Sequence, residues 1–317
     1  MPRIENKCLR RLIRYSAPGG QKIERGKGDF GQMTERYDNS MLACFLEQCP
    51  RKYFFEYEHQ LVSPKSQAAP TFGRGIHRAG DVFFTGGTVD EAIAAFKSLV
   101  PTDLDEEKRT LENAEAIIRG YYKEYNGSIS PFTEVLGVEK GLLVDFGDFE
   151  FFGLLDKVVN WAYGITALDH KTTSLYLSNY GKTVQPKHQY TGYIYLLREL
   201  YENAWGLVVD AIHVGKKLKS GWRTEYTRFL TTRGEWEIDE WKKWVRASVK
   251  GIRQARESNE WLMFTNECTA FNSACPYKPL CEVPYQSLEE TLAYAKQSGD
   301  YFVRVWEPWK EVMKKKA

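Results

Sequence analysis

Apolar and polar positions alternate most clearly in the middle of the chain. FEFFGLLDKVVNW, from Phe149 to Trp161, and ITALDHK, from Ile165 to Lys171, each read as a strand, with Ala162-Tyr163-Gly164 as the turn between them. Thr133 to Phe146 is a strand before this pair, and Trp205 to Val214 and Trp222 to Thr231 are strands after it. Helical spacing marks Phe72 to Phe84, Gln185 to Leu200 and Glu235 to Ser258. Thr88 and Glu91 have capping-box spacing and open a helix that ends near Leu99. Asp105 to Tyr125 reads as one helix, with Leu111, Ala114, Ile117, Ile118 and Tyr121 on a single face. Asn39 or Ser40 caps a short helix through Gln48, which Pro50 ends. Trp261 to Pro284 is irregular, and a terminal helix carries Tyr301, Trp306 and Trp309.

One charge breaks the first central strand. Strands disfavour Asp and burial of a carboxylate is costly, so Asp156 needs a reason. Asp169 and Lys171 share a face of the second strand while His170 points the other way. Pairing of the two strands brings Asp156 near Asp169, so two carboxylates and a lysine converge. Such a pair of carboxylates suits a hard divalent cation such as Mg²⁺, and a nearby ammonium can orient water or neutralise developing charge. A salt-bridged strand pair is the plainer alternative.

Composition narrows the setting. At 317 residues and 43% hydrophobic, the chain can bury a sizeable core. Mean hydropathy is -0.49 and no long apolar run is present, which argues against a membrane partner. MPRIENKCLRRLIRYSAPGG has no apolar signal core, so a cytoplasmic location is expected. A net charge of +2 does not by itself call for nucleic acid. The order of features suggests a basic arm over 1–35, a helical portion over 36–130, a core over 131–260, and a cysteine-bearing segment with a helix over 261–317. The Glu235–Ser258 helix carries a basic face (Lys242, Lys243, Arg246, Lys250, Arg253, Arg256) that is either solvated or phosphate-binding. Gly181-Lys182-Thr183 lacks the earlier glycine of a phosphate-binding loop. Six cysteines, at 8, 44, 49, 268, 275 and 281, suggest metal or redox chemistry before disulfides.

Taken together, Ser40 to Cys281 resembles the RecB-like branch of the PD-(D/E)XK nucleases. Gly153 to Asp156, GLLD, is similar to the family's Gly-x-x-Asp motif, and DHKTT, from Asp169, to its Asp/Glu-x-Lys motif, with Thr173 where the family usually has glycine. Gly73 and His77 match its Gly-x-x-x-His helix, and Gln189 and Tyr193 its Gln-x-x-x-Tyr motif. The resemblance implies that His77, Asp156 and Asp169, with the backbone carbonyl of His170, hold Mg²⁺ or Mn²⁺. It implies that Lys171 positions or activates the attacking water, and that Gln189 and Tyr193 steady the substrate backbone or brace the site. Glu139, on the preceding strand, is given no role.

The cysteines extend the resemblance to iron–sulfur members, the AddB-type and CRISPR adaptation nucleases. Cys49 suits the ligand before the core, and Cys268, Cys275 and Cys281 the three after it. The implied cofactor is a [4Fe–4S] cluster, with structural Zn²⁺ as the alternative. Cys44 is a reserve ligand and Cys8 is uninvolved. Such a staple closes a long loop and stabilises mainly by restricting the unfolded chain.

The expected fold is therefore α/β: a PD-(D/E)XK restriction-endonuclease-like core, a central mixed sheet flanked by helices, with an iron–sulfur staple. The expected activity is metal-dependent hydrolysis of DNA phosphodiester bonds, exonucleolytic on single-stranded or frayed ends. Recombination, repair, phage genome processing and CRISPR adaptation are the settings, with a helicase, recombinase or adaptation protein as partner. The competing class is a non-catalytic nuclease-fold subunit that binds DNA or a recombination partner.

Overall fold

The strands in chain order are β1 (Arg36–Asp38), β2 (Leu61–Val62), β3 (Asp105–Glu106), β4 (Arg109–Thr110), β5 (Glu134–Asp145), β6 (Glu150–Trp161), β7 (Gly164–Thr173), β8 (Ala204–Leu218), β9 (Gly221–Thr231) and β10 (Phe302–Val303). The helices are α1 (Asn39–Ala43), α2 (Pro50–Tyr53), α3 (Ala68–Phe84), α4 (Val89–Leu99), α5 (Leu111–Glu124), α6 (Leu177–Gly181), α7 (His188–Leu200), α8 (Glu235–Ser258), α9 (Lys278–Glu282) and α10 (Leu288–Gln297). This computed structural model describes residues 34–63, 68–101, 105–272, 274–282 and 287–310. The basic arm through residue 33, and Cys8 with it, lies outside them.

β5, β6, β7, β8 and β9 form one mixed sheet, antiparallel except that β7 and β8 run parallel. β6 has β5 along one whole edge. Its other edge is shared: β1 pairs in parallel with Glu150–Phe152, and β7 pairs from Lys157 onward. Between them the sheet forks, and the residues at the fork are Gly153, Leu154, Leu155 and Asp156. Helices cover both faces. Leu155, Val158, Ala167 and Val209 pack with α1, α7 and α8, while Val159, Leu168, Val208 and Ile212 pack with α3, α4 and α5. Period-two alternation divides β7 and β8 between the two cores, while on β6 the parity shifts between Leu155 and Val158, at the fork.

Several boundaries differ from the sequence reading. Asp38 caps α1, accepting from the Met41 N–H at 2.8 Å, one place before the residues expected to do so. Pro50 begins α2, where its missing N–H costs nothing. The Asp105–Tyr125 helix starts only at Leu111, because the Thr110 side chain caps Asn113 and the residues before it pair as β3 and β4. α7 starts at His188, since Pro186 disfavours helix at Gln185. The terminal helix is α10, which ends before Tyr301. Trp306 and Trp309 pack on the main core beyond β10, which pairs with β2. Thr88 caps α4 with its capping box, as the spacing requires.

The cysteine-bearing segment is built into the same core as the sheet. Trp261 stacks on Tyr53 at 6.0 Å, Tyr277 stacks on Phe55 at 5.6 Å, and the Tyr277 hydroxyl donates to the Leu61 carbonyl at 2.6 Å. The basic face of α8 is largely spent on acids of the fold. Arg253 pairs with Glu35 and Asp148, and Arg256 with Glu35 and Glu58. Among the described residues no helix is long and apolar enough to cross a membrane.

Candidate active site at the strand fork

The β6–β7 ladder ends at the Lys157–Leu168 pair. Continuing its register would set Asp156 against Asp169. Instead the strands part, and the Asp156 Oδ2 accepts the His170 N–H at 2.9 Å, taking the place of a ladder carbonyl. Asp156 also meets the His77 Nδ1 at 3.1 Å. Asp169 and Lys171 face the α7 core together, with Lys171 Nζ 3.0 Å from Oδ1 and 2.9 Å from Oδ2 of Asp169. Tyr193 of α7 lies within electrostatic reach of all three charges, and the Gln189 Nε2 donates to its hydroxyl at 2.9 Å. The expected catalytic group is therefore assembled from two strands, α3 and α7.

Glycines make this approach possible. A Cβ on Gly153 would stand 2.2 Å from Leu196 of α7, and one on Gly80 would stand 2.8 Å from the His170 ring. In α3 it is Gly75 that packing demands, against Phe96 at 2.6 Å, whereas Gly73 has room for a Cβ.

The charges are unequal. Burial pushes the Asp156 carboxyl up, yet His77, then Lys171 and Lys157, hold it well below the usual carboxylate range. Burial raises Asp169, and repulsion from Asp156 adds to that, against the pull of Lys171. Burial also lowers the Lys171 ammonium, but Asp169, then Tyr193 and Asp156, hold it above the ordinary lysine value. The direction follows from the direct contact of the ammonium with Asp169.

Beneath the site, on the other face of β7, lies a buried polar group. His170 is 1% exposed, with Nδ1 3.4 Å from Asp210, and Asp210 also takes the Tyr121 hydroxyl and stands 3.5 Å from Arg228. Burial, then Lys157 and His77, keeps the His170 imidazole neutral far below the ordinary histidine value. Lys157, fully buried next to Asp156, pairs with Asp81 at 2.9 Å. The sequence reading missed both groups, although each left the signal that marked Asp156, a charge inside an apolar strand. It also missed Lys187, whose ammonium lies over the Tyr180 and Tyr190 rings and feels both Lys171 and Asp169. Glu139 is exposed, with a left-handed backbone at φ 49°.

The donor chemistry at the fork fits a hard divalent cation: two carboxylates, an imidazole, and an Asp169 Oδ2 that is buried without a well-aligned hydrogen bond despite the nearby Lys171. Among the described residues, however, no three His, Cys, Asp or Glu side chains stand in metal-holding geometry. His77 and Asp156 satisfy each other, as do Lys171 and Asp169, so binding a cation must exchange these contacts. The thiols of Cys49, Cys268, Cys275 and Cys281 are free and lie within each other's electrostatic influence. Burial, then the neighbouring thiols against Arg51, pushes Cys281 up to about 11. Cys44 is buried in the core, its thiol also held up by burial.

A mixed sheet that forks at two carboxylates and a lysine, between two helical layers, defines a nuclease-type α/β fold. The profile of the PD-(D/E)XK nuclease superfamily matches residues 41–282, and the chain belongs to that superfamily. The crystal structure of a Eubacterium rectale protein described as a "putative exonuclease" superposes with a TM-score of 0.51 at 12% identity, covering 89% of this chain and 100% of that one. The structure of SSO0001 matches at 11% identity over 68% of this chain and 76% of its own, with a TM-score of 0.30. No curated protein matches significantly.

Proposed function

We propose that the protein is a Mg²⁺- or Mn²⁺-dependent DNA nuclease that removes nucleotides from single-stranded or frayed ends. The observation that carries this reading is the convergence of Asp156, Asp169 and Lys171 where β6 and β7 part. His77, Asp156, Asp169 and the His170 carbonyl are the groups that would hold the cation. When bound it would supply Lewis-acid polarisation of the phosphodiester and a more acidic water. Lys171 would position or activate the attacking water or balance charge on the phosphoryl oxygens, and the Gln189–Tyr193 pair would brace the wall beside it. The setting is repair, recombination, phage genome processing or CRISPR adaptation, in company with a partner that unwinds or presents the strand. Labelled single-stranded and duplex DNA, incubated with Mg²⁺, Mn²⁺ or EDTA, tests the reading. Cleavage of linear single strands that EDTA abolishes is expected, and binding without cleavage under all conditions would overturn it.

Lys171→Ala should cut turnover by roughly a hundred- to a thousand-fold, the cost of one transition-state charge partner. Cation affinity, followed by Mn²⁺ titration, should change far less. Wild-type turnover in that variant would remove Lys171 from the mechanism.

The four cysteines are proposed to hold a [4Fe–4S] cluster, with Zn²⁺ as the alternative. Their free thiols feel one another electrostatically and join the start of α2 to the segment around α9, which supports this, although metal binding must draw them closer than they stand among the described residues. Cys281→Ala should lose bound metal and melt at lower temperature, yet still fold, because Trp261 and Tyr277 already anchor the segment. Metal binding needs thiolates, so uptake by metal-free protein should accelerate as pH rises toward the raised value of Cys281. Unchanged metal content, melting temperature and activity in Cys281→Ala would defeat both the cluster and the zinc version.

A further inference from the structure

The fork extends into a cleft of about 180 Å³ that runs from Asp156, Gln189 and Tyr193 toward the C-terminal segment. One side is the β6 edge from Phe151 to Leu154, which neither β1 nor β7 pairs beyond Phe152. Backbone groups along such an edge are free to meet a ligand. Asn39, at the start of α1, lines the cleft, and its Oδ1 is buried with no hydrogen-bond partner among the described residues. An unpaired buried amide oxygen is costly, and a donor arriving with a ligand would relieve that cost. Trp306 and Pro308 bound the far end, and the indole is held by its Nε1–H, which donates to the Asp38 Oδ2 at 3.0 Å.

The chemistry of this lining selects among the parts of a nucleic-acid strand. Among the described residues no lysine, arginine or histidine lines the cleft, and two carboxylates do, so a phosphate is disfavoured there. An aromatic wall, an amide oxygen and an open strand edge suit an uncharged planar ring with exocyclic donors. Asp156 lines one end of the cleft, so a ring seated there would leave the adjoining phosphate on the side of the carboxylates. We propose that this cleft is the subsite for the base of the terminal nucleotide of the strand being cut, with Asn39 and Trp306 as its recognition groups. The proposal rests on the nuclease reading above and gives it a structural basis for choosing ends over internal positions.

The test uses oligonucleotides carrying 2-aminopurine at the 5′ end, at the 3′ end or internally. They are bound to the intact protein in EDTA and again in Ca²⁺, and a fluorescence change at one end only is expected. Asn39→Ala, a small change at the first turn of α1, should erase most of that end-selective signal while its melting temperature stays near wild type. In Mg²⁺ the same variant should lower the preference for linear over circular single strands by about tenfold, the ratio that one lost hydrogen bond sets. Trp306→Leu should lose the signal as well. Equal responses at every position, an end-selective response that survives Asn39→Ala, or no binding at all would overturn the subsite. An end-selective response in a protein that cleaves nothing would instead overturn the nuclease reading and leave the subsite standing.

Discussion

Asp169→Asn should lower the rate of DNA cleavage by on the order of a thousand-fold or more, with a melting temperature near that of the wild type. The two expectations have one cause. Asp169 is 1% exposed and set against a second carboxylate, so burial and Asp156 both work against its charge. The isosteric amide removes that repulsion, fills the same volume, and leaves Asp156 to balance Lys171. Stability is therefore little affected, while the oxygen that burial leaves without a well-aligned hydrogen bond loses the charge a cation requires. Cleavage of labelled single strands, thermal melting and Mn²⁺ titration on one preparation check all three parts. A variant that melts near wild type and still cleaves at the wild-type rate would exclude Asp169 from the chemistry.

The largest effect on stability is expected away from the carboxylates, at Asp81→Ala. Lys157 is fully buried between the sheet and α3, and Asp81 is its counter-ion at 2.9 Å, with the Phe84 ring 5.6 Å from the ammonium. Taking Asp81 away leaves a buried cation without its direct ion-pair partner, a change that costs about 3–5 kcal/mol. The double variant Asp81→Ala/Lys157→Met removes both charges and should recover most of the loss, because an apolar side chain of similar length suits the site. Chemical denaturation of the two variants measures this. Equal destabilisation in both would mean that packing volume, not the ion pair, sets the cost. Lys157 also helps to hold Asp156 ionised, so the single variant perturbs the site from behind.

The sheet was legible in the sequence because alternation is a local signal and both its faces are buried. Thr133 to Phe146 and Trp222 to Thr231 land within a few residues of β5 and β9. The meeting of Asp156, Asp169 and Lys171 was legible for the same reason, since face parity follows from counting. His77 needed more than counting: α3 packs on the opposite face, and only the parting of the strands lets its ring reach Asp156. The fork itself has no local signature, because β1 lies more than a hundred residues before the edge it occupies. Lys157 and Asp210 could have been found by the rule applied to Asp156, since KVV and VVDA each bury a charge in an apolar run. The misplaced terminal helix shows the converse. Tyr301, Trp306 and Trp309 suggest a terminal helix, but they follow α10 and pack against the main core outside any helix that carries all three.

The shared edge of β6 also divides the molecule by rate of opening. β1 is held by three residues of pairing and a partly exposed Arg36–Glu150 ion pair, whereas β7 and β8 pair from Ile165 to Thr173 with both faces covered. Free energies of local opening follow such differences in burial and pairing. Amide protons of β1 should accordingly exchange with solvent before those of β7 and β8. The two sides of the fork would then run on different clocks, the β7 side keeping its register while the β1 side bordering Asn39 opens more readily. On the proposed function, a strand end would be admitted beside Asp156 and released again without disturbing the geometry that positions the charges.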